Sequence, residues 1–238
     1  MRKKHNAEQL SGEQVIHEMR RRSDTILLAF SCGKDSIAAW LALRPHFTRI
    51  VPYYMYLVPG LEFVERSLRY YEAFFGCHIA RIPHRSLYRM LVNLVFQAPE
   101  NCRIVEACEF RTPEYDDLID LLREDCKLSP DVYVAHGVRA ADSPIRRGAV
   151  TKYGAVNHHR KTFWPIWDWR KADVIRAINQ SGVKLPIDYR WLGRSFDGLD
   201  YRFLAPIKEH APKDYARILE FFPLAEVEIM RRQYALAR

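Results

Sequence analysis

The sequence predicts an α/β fold in which a doubly wound, mostly parallel sheet carries helices in its crossover connections. Apolar or β-branched runs alternate with helical patterns over roughly the first 135 residues, as in consecutive βαβ units. The first run, Thr25–Phe30, is continuously apolar, which is typical of a strand buried on both faces. A tight loop rich in serine follows it at once, and then a helical pattern. These three observations indicate a parallel sheet with right-handed crossovers.

Each element follows from apolar spacing and from the turn residues that bound it. Helices are predicted over residues 7–22, 37–43, 61–75, 87–96, 113–127 and 171–181, and over 212–236 with a break near Pro223. Strands are predicted over residues 25–30, 49–57, 78–83 and 131–136. Residues 137–162 show neither periodicity and are predicted to be irregular and basic. We expect an α/β domain over residues 1–165, with residues 166–238 forming a helical C-terminal extension packed on it.

The composition excludes several classes of protein. Hydrophobic residues make up 48% of the 238 residues and aromatic residues 13%, which excludes a disordered chain. The apolar stretches are far shorter than the roughly 20 residues of a membrane span, and the basic start lacks the apolar segment of a signal peptide. Five cysteines without a CxxC pair do not suit a disulfide scaffold. We therefore expect a cytoplasmic protein that does not bind membranes.

The charge predicts an anionic partner without identifying it. The chain has 37 Lys and Arg against 29 Asp and Glu, a formal net charge of +8. Such an excess suits nucleic acid or a small phosphorylated molecule, and net charge does not choose between them.

The loop Ser31–Ser36 combines the groups that bind phosphate. It ends a predicted strand and begins a predicted helix, where backbone N–H groups and the helix dipole favour an anion. Gly33 permits close backbone approach, Lys34 adds a positive charge, and the two serines supply hydroxyls. Asp35 could hold Mg²⁺ that bridges a polyphosphate. The alternative is an ordinary helix cap with an exposed Lys–Asp pair.

Four segments in order resemble one family. Ala29–Ser36 resembles the PP-loop, S-[GX]-G-K-D-S, of the ATP pyrophosphatase superfamily, and the chain is most similar there to the phosphoadenosine phosphosulfate (PAPS) reductase family. Pro59–Phe63 is similar to the D-T-G-x-E-F segment, and Gly137–Arg146 to the G-[IV]-R-A-x-E-S-x-x-R segment. Residues 164–175 resemble P-[IL]-x-D-W-x-x-x-D-V. The resemblance spans roughly residues 25–190.

The resemblance implies a five-stranded fold of the adenine nucleotide alpha hydrolase type, with an adenine nucleotide, ATP or PAPS, across the strand ends. Lys34, Asp35 and Arg139 would then be catalytic, and Asp35 would meet Mg²⁺ through the nucleotide. The nucleotide-binding residues implied are Ser31, Cys32, Gly33, Lys34, Asp35, Ser36, Gly60, Glu62, Gly137, Arg139, Asp142, Ser143 and Arg146. The arginines are phosphate partners, and Asp142 and Ser143 either hold ribose hydroxyls or Mg²⁺ or orient those arginines.

The sequence departs from the family in four ways. Cys32 replaces the second glycine of the loop, and Val58–Pro59 stands where the family has Asp-Thr. No cysteine follows Cys126, so the attacking thiol of the reductase motif E-C-G-[IL]-H is absent. The paired cysteine ligands of iron–sulfur relatives are absent too, and no cluster is expected.

These departures shape the expected function. We predict an enzyme that cleaves ATP to AMP and pyrophosphate, adenylylating a substrate for nucleic-acid or sulfur-related modification. One alternative is a sulfonucleotide reductase whose thiol comes from Cys32 or from a partner. Another is a nucleotide-binding regulatory or interaction subunit without turnover. A nucleic-acid substrate or a protein partner stays open, and so does the oligomeric state.

Three further groups are predicted to be structural. Cys102 and Cys108 suit buried, inert thiols better than a cluster site that also includes Cys126. The pair His158–His159 suits a mobile basic loop better than a metal site. Asp168, between two tryptophans, is predicted to cap the helix that follows it.

Overall fold

The computed structural model describes residues 9–236 as an α/β protein. The helices are α1 (Gly12–Arg22), α2 (Lys34–Leu43), α3 (Glu62–Phe75), α4 (Arg85–Val92), α5 (Pro99–Ala107), α6 (Tyr115–Asp125), α7 (Pro144–Tyr153), α8 (Lys171–Ser181), α9 (Asp188–Leu192), α10 (Tyr201–His210), α11 (Pro212–Phe221) and α12 (Val227–Leu236). The strands are β1 (Thr25–Ala29), β2 (Arg49–Tyr56), β3 (Ala80–Pro83), β4 (Val134–His136), β5 (Val156–Asn157) and β6 (Thr162–Phe163). Short 3₁₀ helices span Ala140–Asp142 and Pro223–Glu226.

The strands form one sheet in the order β3-β2-β1-β4-β6-β5. β1 pairs in parallel with β2 and β4, β4 pairs in parallel with β6, and only the β5–β6 pairing is antiparallel among the described pairs. The predicted fold class is thus confirmed. The sheet has six strands rather than five, because β5 and β6 form a hairpin of two-residue strands too short to show a period.

The strand order reverses at β1. The chain runs from β1 to β2 and β3 on one side, and then returns to β4 on the other side of β1. In open parallel sheets, ligands bind beyond the carboxyl ends of the two strands that flank such a reversal. The loops after β1 and β4 therefore lie where a ligand is expected to bind.

Each predicted helix and strand is present in the structure, with ends that differ by a few residues. α8 has its predicted bounds, and β1 and β2 are each one residue shorter than predicted. α1 begins later than predicted, at Gly12, because Ser11 and Gln14 form a capping box there. Its predicted residues 7 and 8 lie outside the described part of the chain.

Four helices were not predicted, namely α5, α7, α9 and α10. α7 replaces part of the segment predicted to be irregular. α5 buries none of its residues and α7 buries only Val150, so neither has the apolar stripe by which a helix is recognised in sequence.

The chain divides into two compact units, and the first contains most of the sheet. It comprises the chain up to Tyr53, His78–Ala80 and Leu122–Lys184. Its core is formed by the buried side chains of β1 and β4 together with those of α2 and α8, including Leu27, Ile37 and Val174. α2 and α8 pack against each other.

The second unit is largely helical. It comprises Tyr54–Cys77, Arg81–Leu121 and the chain from Leu185 onward. α10 packs against α9, α11 and α12, and its buried Leu204 and Ile207 lie at the centre of that group. No helix in residues 9–236 is long and apolar enough to cross a membrane. The domains over residues 1–165 and 166–238 stay a prediction.

Within the second unit, Asp214 of α11 caps the N-terminus of α3. Its two carboxylate oxygens accept hydrogen bonds from the backbone N–H groups of Glu62 at 2.7 Å and Phe63 at 3.1 Å. The residue at the cap position, Leu61, has no side chain able to accept these bonds. Asp214 is 6% exposed, so its charge is stabilised by those N–H groups and by the helix dipole.

We predict that Asp214→Ala lowers the free energy of unfolding by about 2–3 kcal/mol, because it leaves two first-turn N–H groups without their carboxylate. Urea unfolding followed by circular dichroism measures the change. Asp214→Asn keeps one acceptor oxygen, so its free energy of unfolding should lie between those of the unsubstituted protein and Asp214→Ala. An unchanged midpoint for Asp214→Ala would show that water replaces the cap without cost.

Candidate functional site

The loop Ser31–Ser36 lies where the strand order reverses. Gly33 is the cap residue of α2, has extended backbone angles and provides no side-chain cap. The N–H groups in the first turn of a helix have no partner within the helix, and they carry the positive end of its dipole. The loop therefore presents donors and a positive potential beyond the end of β1.

The loop is held by its own hydroxyls. Ser36 Oγ donates to the Gly33 carbonyl at 2.8 Å and accepts from the Ser31 N–H at 3.3 Å. Ser36 is only 4% exposed, so its hydroxyl shapes the loop. Cys32 has a φ of +57°, in the left-handed region that favours glycine. Cys32 adopts this conformation although it is not glycine.

Gly137, directly after β4, packs against the loop. A Cβ atom at Gly137 would lie 2.6 Å from the Asp35 carbonyl oxygen and 2.8 Å from the Ser36 nitrogen. These distances are below any van der Waals contact. Only glycine permits this approach between the segment after β4 and the first turn of α2.

Five side chains of alternating charge run from the loop to α7. They are Lys34, Asp35, Arg139, Asp142 and Arg146, and we call them the charge chain. The successive contacts are 2.7 Å from Lys34 Nζ to Asp35 Oδ2, 2.8 Å from Asp35 Oδ1 to Arg139 Nε, 2.6 Å from Arg139 Nη2 to Asp142 Oδ1, and 2.9 Å from Asp142 Oδ2 to Arg146 Nη1. The contact between Asp35 and Arg139 is an ion pair without hydrogen-bond alignment.

The three cations of the charge chain differ in how far they are exposed to solvent. The Arg139 side chain is 5% exposed and lies between two carboxylates, so in this structure it positions Asp35 and Asp142. The Lys34 side chain is 31% exposed and that of Arg146 is 48% exposed. These two cations are the ones that an incoming phosphate can reach.

Asp35 does not offer a free ligand to Mg²⁺. One of its oxygens contacts Lys34 and the other contacts Arg139, so both are already neutralised by cations. Asp142 is engaged in the same way by two arginines. The donor set therefore does not fit a magnesium ion held by these carboxylates, and we derive no step through one. Among residues 9–236, no three His, Cys, Asp or Glu side chains are grouped to hold a metal ion.

Comparison with known proteins yields structural similarity only. No protein-family model and no curated protein matches the sequence. A U34-tRNA thiolase NcsA from Methanococcus maripaludis, with its [4Fe-4S] cluster, is 13% identical, with a TM-score of 0.46 over 90% of this chain and 80% of that one.

Two further solved structures are similar to a lesser degree. An NH3-dependent NAD synthetase from Campylobacter jejuni subsp. jejuni NCTC 11168, in complex with nitrate, is 14% identical, with a TM-score of 0.42 over 94% of this chain and 96% of that one. A predicted subunit of tRNA methyltransferase from Methanocaldococcus jannaschii is 15% identical, with a TM-score of 0.35 over 80% and 92%.

The remaining predicted site residues lie at two places. Ser143 caps α7, accepting from the Arg146 N–H at 3.1 Å, and it follows Asp142 in the first unit. Gly60 and Glu62 belong to the second unit. Gly60 has a φ of +75°, in the region that favours glycine, and the exposed Glu62 pairs with Arg69 at 2.7 Å. Their role in nucleotide binding stays a prediction.

Asp168 and Cys108 differ from their predictions. Asp168 caps α1 instead of α8, because its Oδ2 accepts from the Gly12 N–H at 3.0 Å across a long sequence separation. α8 is capped by Asp173, which accepts from the Arg170 N–H at 2.9 Å. Cys108 is exposed rather than buried, since α5 contributes no residue to a core.

His136 belongs to the site region, although the sequence alone does not single it out. It ends β4 and immediately precedes Gly137. Burial, and to a smaller extent the positive charge of Arg160, lower the pKa of His136 to about 4. His136 is therefore neutral near pH 7. In the sequence, His136 could be recognised as a histidine at the end of a predicted buried strand, directly before Gly137.

We predict that Gly137→Ala destabilises the fold by about 1–3 kcal/mol, because the new Cβ overlaps the backbone of α2. Differential scanning calorimetry gives the change in Tm. Gly148→Ala is the matched control, since nothing lies within 4 Å of a Cβ there and it sits inside α7. That variant should be unchanged or more stable by up to about 1 kcal/mol. Equal stability of both variants would contradict the close approach.

We predict that stability falls as the pH drops from about 6.5 to 4. The unfolded chain protonates His136 near its ordinary pKa of about 6.5 while the folded protein does not, a difference of up to about 3 kcal/mol. His136→Asn should remove this part of the slope, as measured by urea unfolding at several pH values. His159→Gln, a solvent-exposed histidine, serves as the control and should retain it. If His136→Asn keeps the full slope, other groups cause it.

Proposed function

We propose that the loop Ser31–Ser36 binds the phosphates of an adenine nucleotide and that the protein cleaves ATP to AMP and pyrophosphate to activate a substrate. The observation that carries this proposal is the uncapped N-terminus of α2 at the strand reversal, flanked by Lys34. An anion at this position meets oriented N–H groups, the helix dipole and a side-chain charge at once. The choice of adenine rests on the resemblance to the PP-loop pattern.

The proposed chemistry needs positioning more than covalent help from the protein. An oxygen of the substrate, from a carbonyl or carboxyl group, attacks the α-phosphorus of ATP. The new P–O bond forms as the bond to the bridging oxygen of the β-phosphate breaks, and pyrophosphate leaves with that electron pair. A nucleophile then attacks the carbon that bears the adenylylated oxygen, and AMP leaves with that oxygen and the electron pair of the broken C–O bond. Charge stabilisation and alignment are sufficient to accelerate such a transfer.

The residues have distinct roles in this proposal. Lys34 and the first-turn N–H groups of α2 bind phosphate oxygens and stabilise the charge that moves to pyrophosphate. Arg146 binds a phosphate from the α7 side. Arg139 keeps Asp35 and Asp142 in place, so that the two exposed cations keep their geometry. Asp35 holds the Lys34 ammonium at 2.7 Å and so directs it.

Two other functions would use the same phosphate-binding loop. A sulfonucleotide reductase would need a thiol at the phosphosulfate, and Cys32 is the cysteine of the loop, although it is 4% exposed. A regulatory subunit would bind the nucleotide without turnover. Sulfite release from PAPS would favour the first, and nucleotide binding without any product the second.

We predict that Lys34→Ala weakens ATP binding at least tenfold, because it removes a charge-assisted bond of about 1.5–3 kcal/mol. Isothermal titration calorimetry measures affinity, and pyrophosphate release measures turnover. Lys213→Ala removes an exposed lysine of α11 in the second unit and should bind ATP like the unsubstituted protein. If Lys34→Ala binds ATP normally, the loop is not the phosphate site.

A further inference from the structure

The segment Pro144–Lys161, which we call the basic segment, carries a concentrated positive charge. Its 18 residues include five Lys or Arg and two His but no Asp or Glu. The whole chain has a formal net charge of only +8. Within the basic segment, every Lys and Arg residue except Lys161 is exposed. A large share of the protein's excess charge therefore lies on one continuous, solvent-facing stretch of the first unit.

Part of this charge is available to an outside partner. Arg146 pairs with Asp142 and Lys161 with Asp131. Arg147 and Lys152 form no ion pair within residues 9–236. An exposed cation without a carboxylate neighbour keeps its full attraction for an anion, and two such cations on one helix suit a polyanion better than a single phosphate.

α7 also exposes large apolar groups where a helix normally has polar ones. Ile145 is 84% exposed and Tyr153 is 71% exposed, while only Val150 is buried. The Lys152 ammonium lies 4.7 Å from the centre of the Tyr153 ring. An exposed aromatic face beside cations is the arrangement on which unpaired bases stack while their phosphates are neutralised.

The basic segment is joined to the phosphate loop by the charge chain. Arg146, in the first turn of α7, contacts Asp142, which contacts Arg139, which contacts Asp35 of the loop. Over ten residues α7 extends about 15 Å from this end. A polymer bound along α7 would thus begin beside the loop in the same unit.

We propose that the basic segment binds single-stranded nucleic acid, with Arg147 and Lys152 on the phosphates and Tyr153 stacked on a base. An anionic membrane is a poorer fit, because α7 exposes one large aliphatic side chain, Ile145, whereas an interfacial helix presents a broad apolar face. This binding does not depend on the proposed turnover of ATP.

The test measures fluorescence anisotropy of labelled 20-nucleotide single strands, RNA and DNA, with the full chain and without ATP. We expect micromolar binding at about 50 mM salt that weakens as salt rises. Arg147→Ala/Lys152→Ala should weaken binding at least tenfold and make the salt slope shallower by about 1.4, since each lost phosphate contact on a single strand contributes about 0.7. Lys213→Ala/Arg232→Ala, with the same loss of charge elsewhere, should change the affinity less than twofold.

Tyr153 separates stacking from charge. Tyr153→Ala should weaken single-strand binding about tenfold without changing the salt slope, and Tyr153→Phe should restore it. A duplex of the same sequence should be bound more weakly and be insensitive to Tyr153→Ala. These side chains are exposed, and circular dichroism verifies that the variants fold.

Several results would overturn the proposal. They are no saturable binding of either strand, equal loss of affinity in the control double variant, or binding of phosphatidylserine vesicles in preference to both strands. A difference between RNA and DNA would identify the natural strand and support the proposal. Because ATP is absent throughout, failure here leaves the nucleotide-binding proposal unaffected.

Discussion

The guanidinium of Arg139 is the constraint on which the candidate site depends. It is almost fully buried, and a buried charge is tolerated only while its opposite charges stay beside it. Asp35 follows β1 and Asp142 follows β4, so the two loops must remain in contact for the arginine to remain paired. Gly137 makes that contact possible by removing the one side-chain atom that would separate them.

This constraint also determines where the positive charge is exposed. The buried middle of the charge chain is neutralised by its two carboxylates, while the cations at its ends, Lys34 and Arg146, reach solvent. Lys34 lies in the loop that suits a small phosphate compound, and Arg146 lies near the start of the basic segment. The nucleotide proposed for the loop and the nucleic acid proposed for the basic segment would therefore bind to two neighbouring surfaces.

The sequence predicted those parts whose physics is local. A continuous apolar run predicts β1, and the Ser-Gly-Lys pattern after it predicts a helix cap with a phosphate site. Contacts made across long sequence separations could not be predicted. Asp168 caps α1 rather than α8. The two oxygens of Asp35 contact Lys34 and Arg139, and Arg139 is distant in the sequence. α7 was not predicted, because it buries a single residue and its sequence therefore shows no periodic apolar pattern.

The order in which these elements occur along the chain matters during synthesis. β1 and the loop after it are made early, but β4 and Gly137 follow roughly 100 residues later. Until then, the edge of β1 that β4 will cover has unpaired backbone groups, which invite pairing with other chains. A nascent chain that stalls before β4 therefore combines an open strand edge with an unfinished site. The later pairing of β4 with β1 therefore both completes the site and covers this edge.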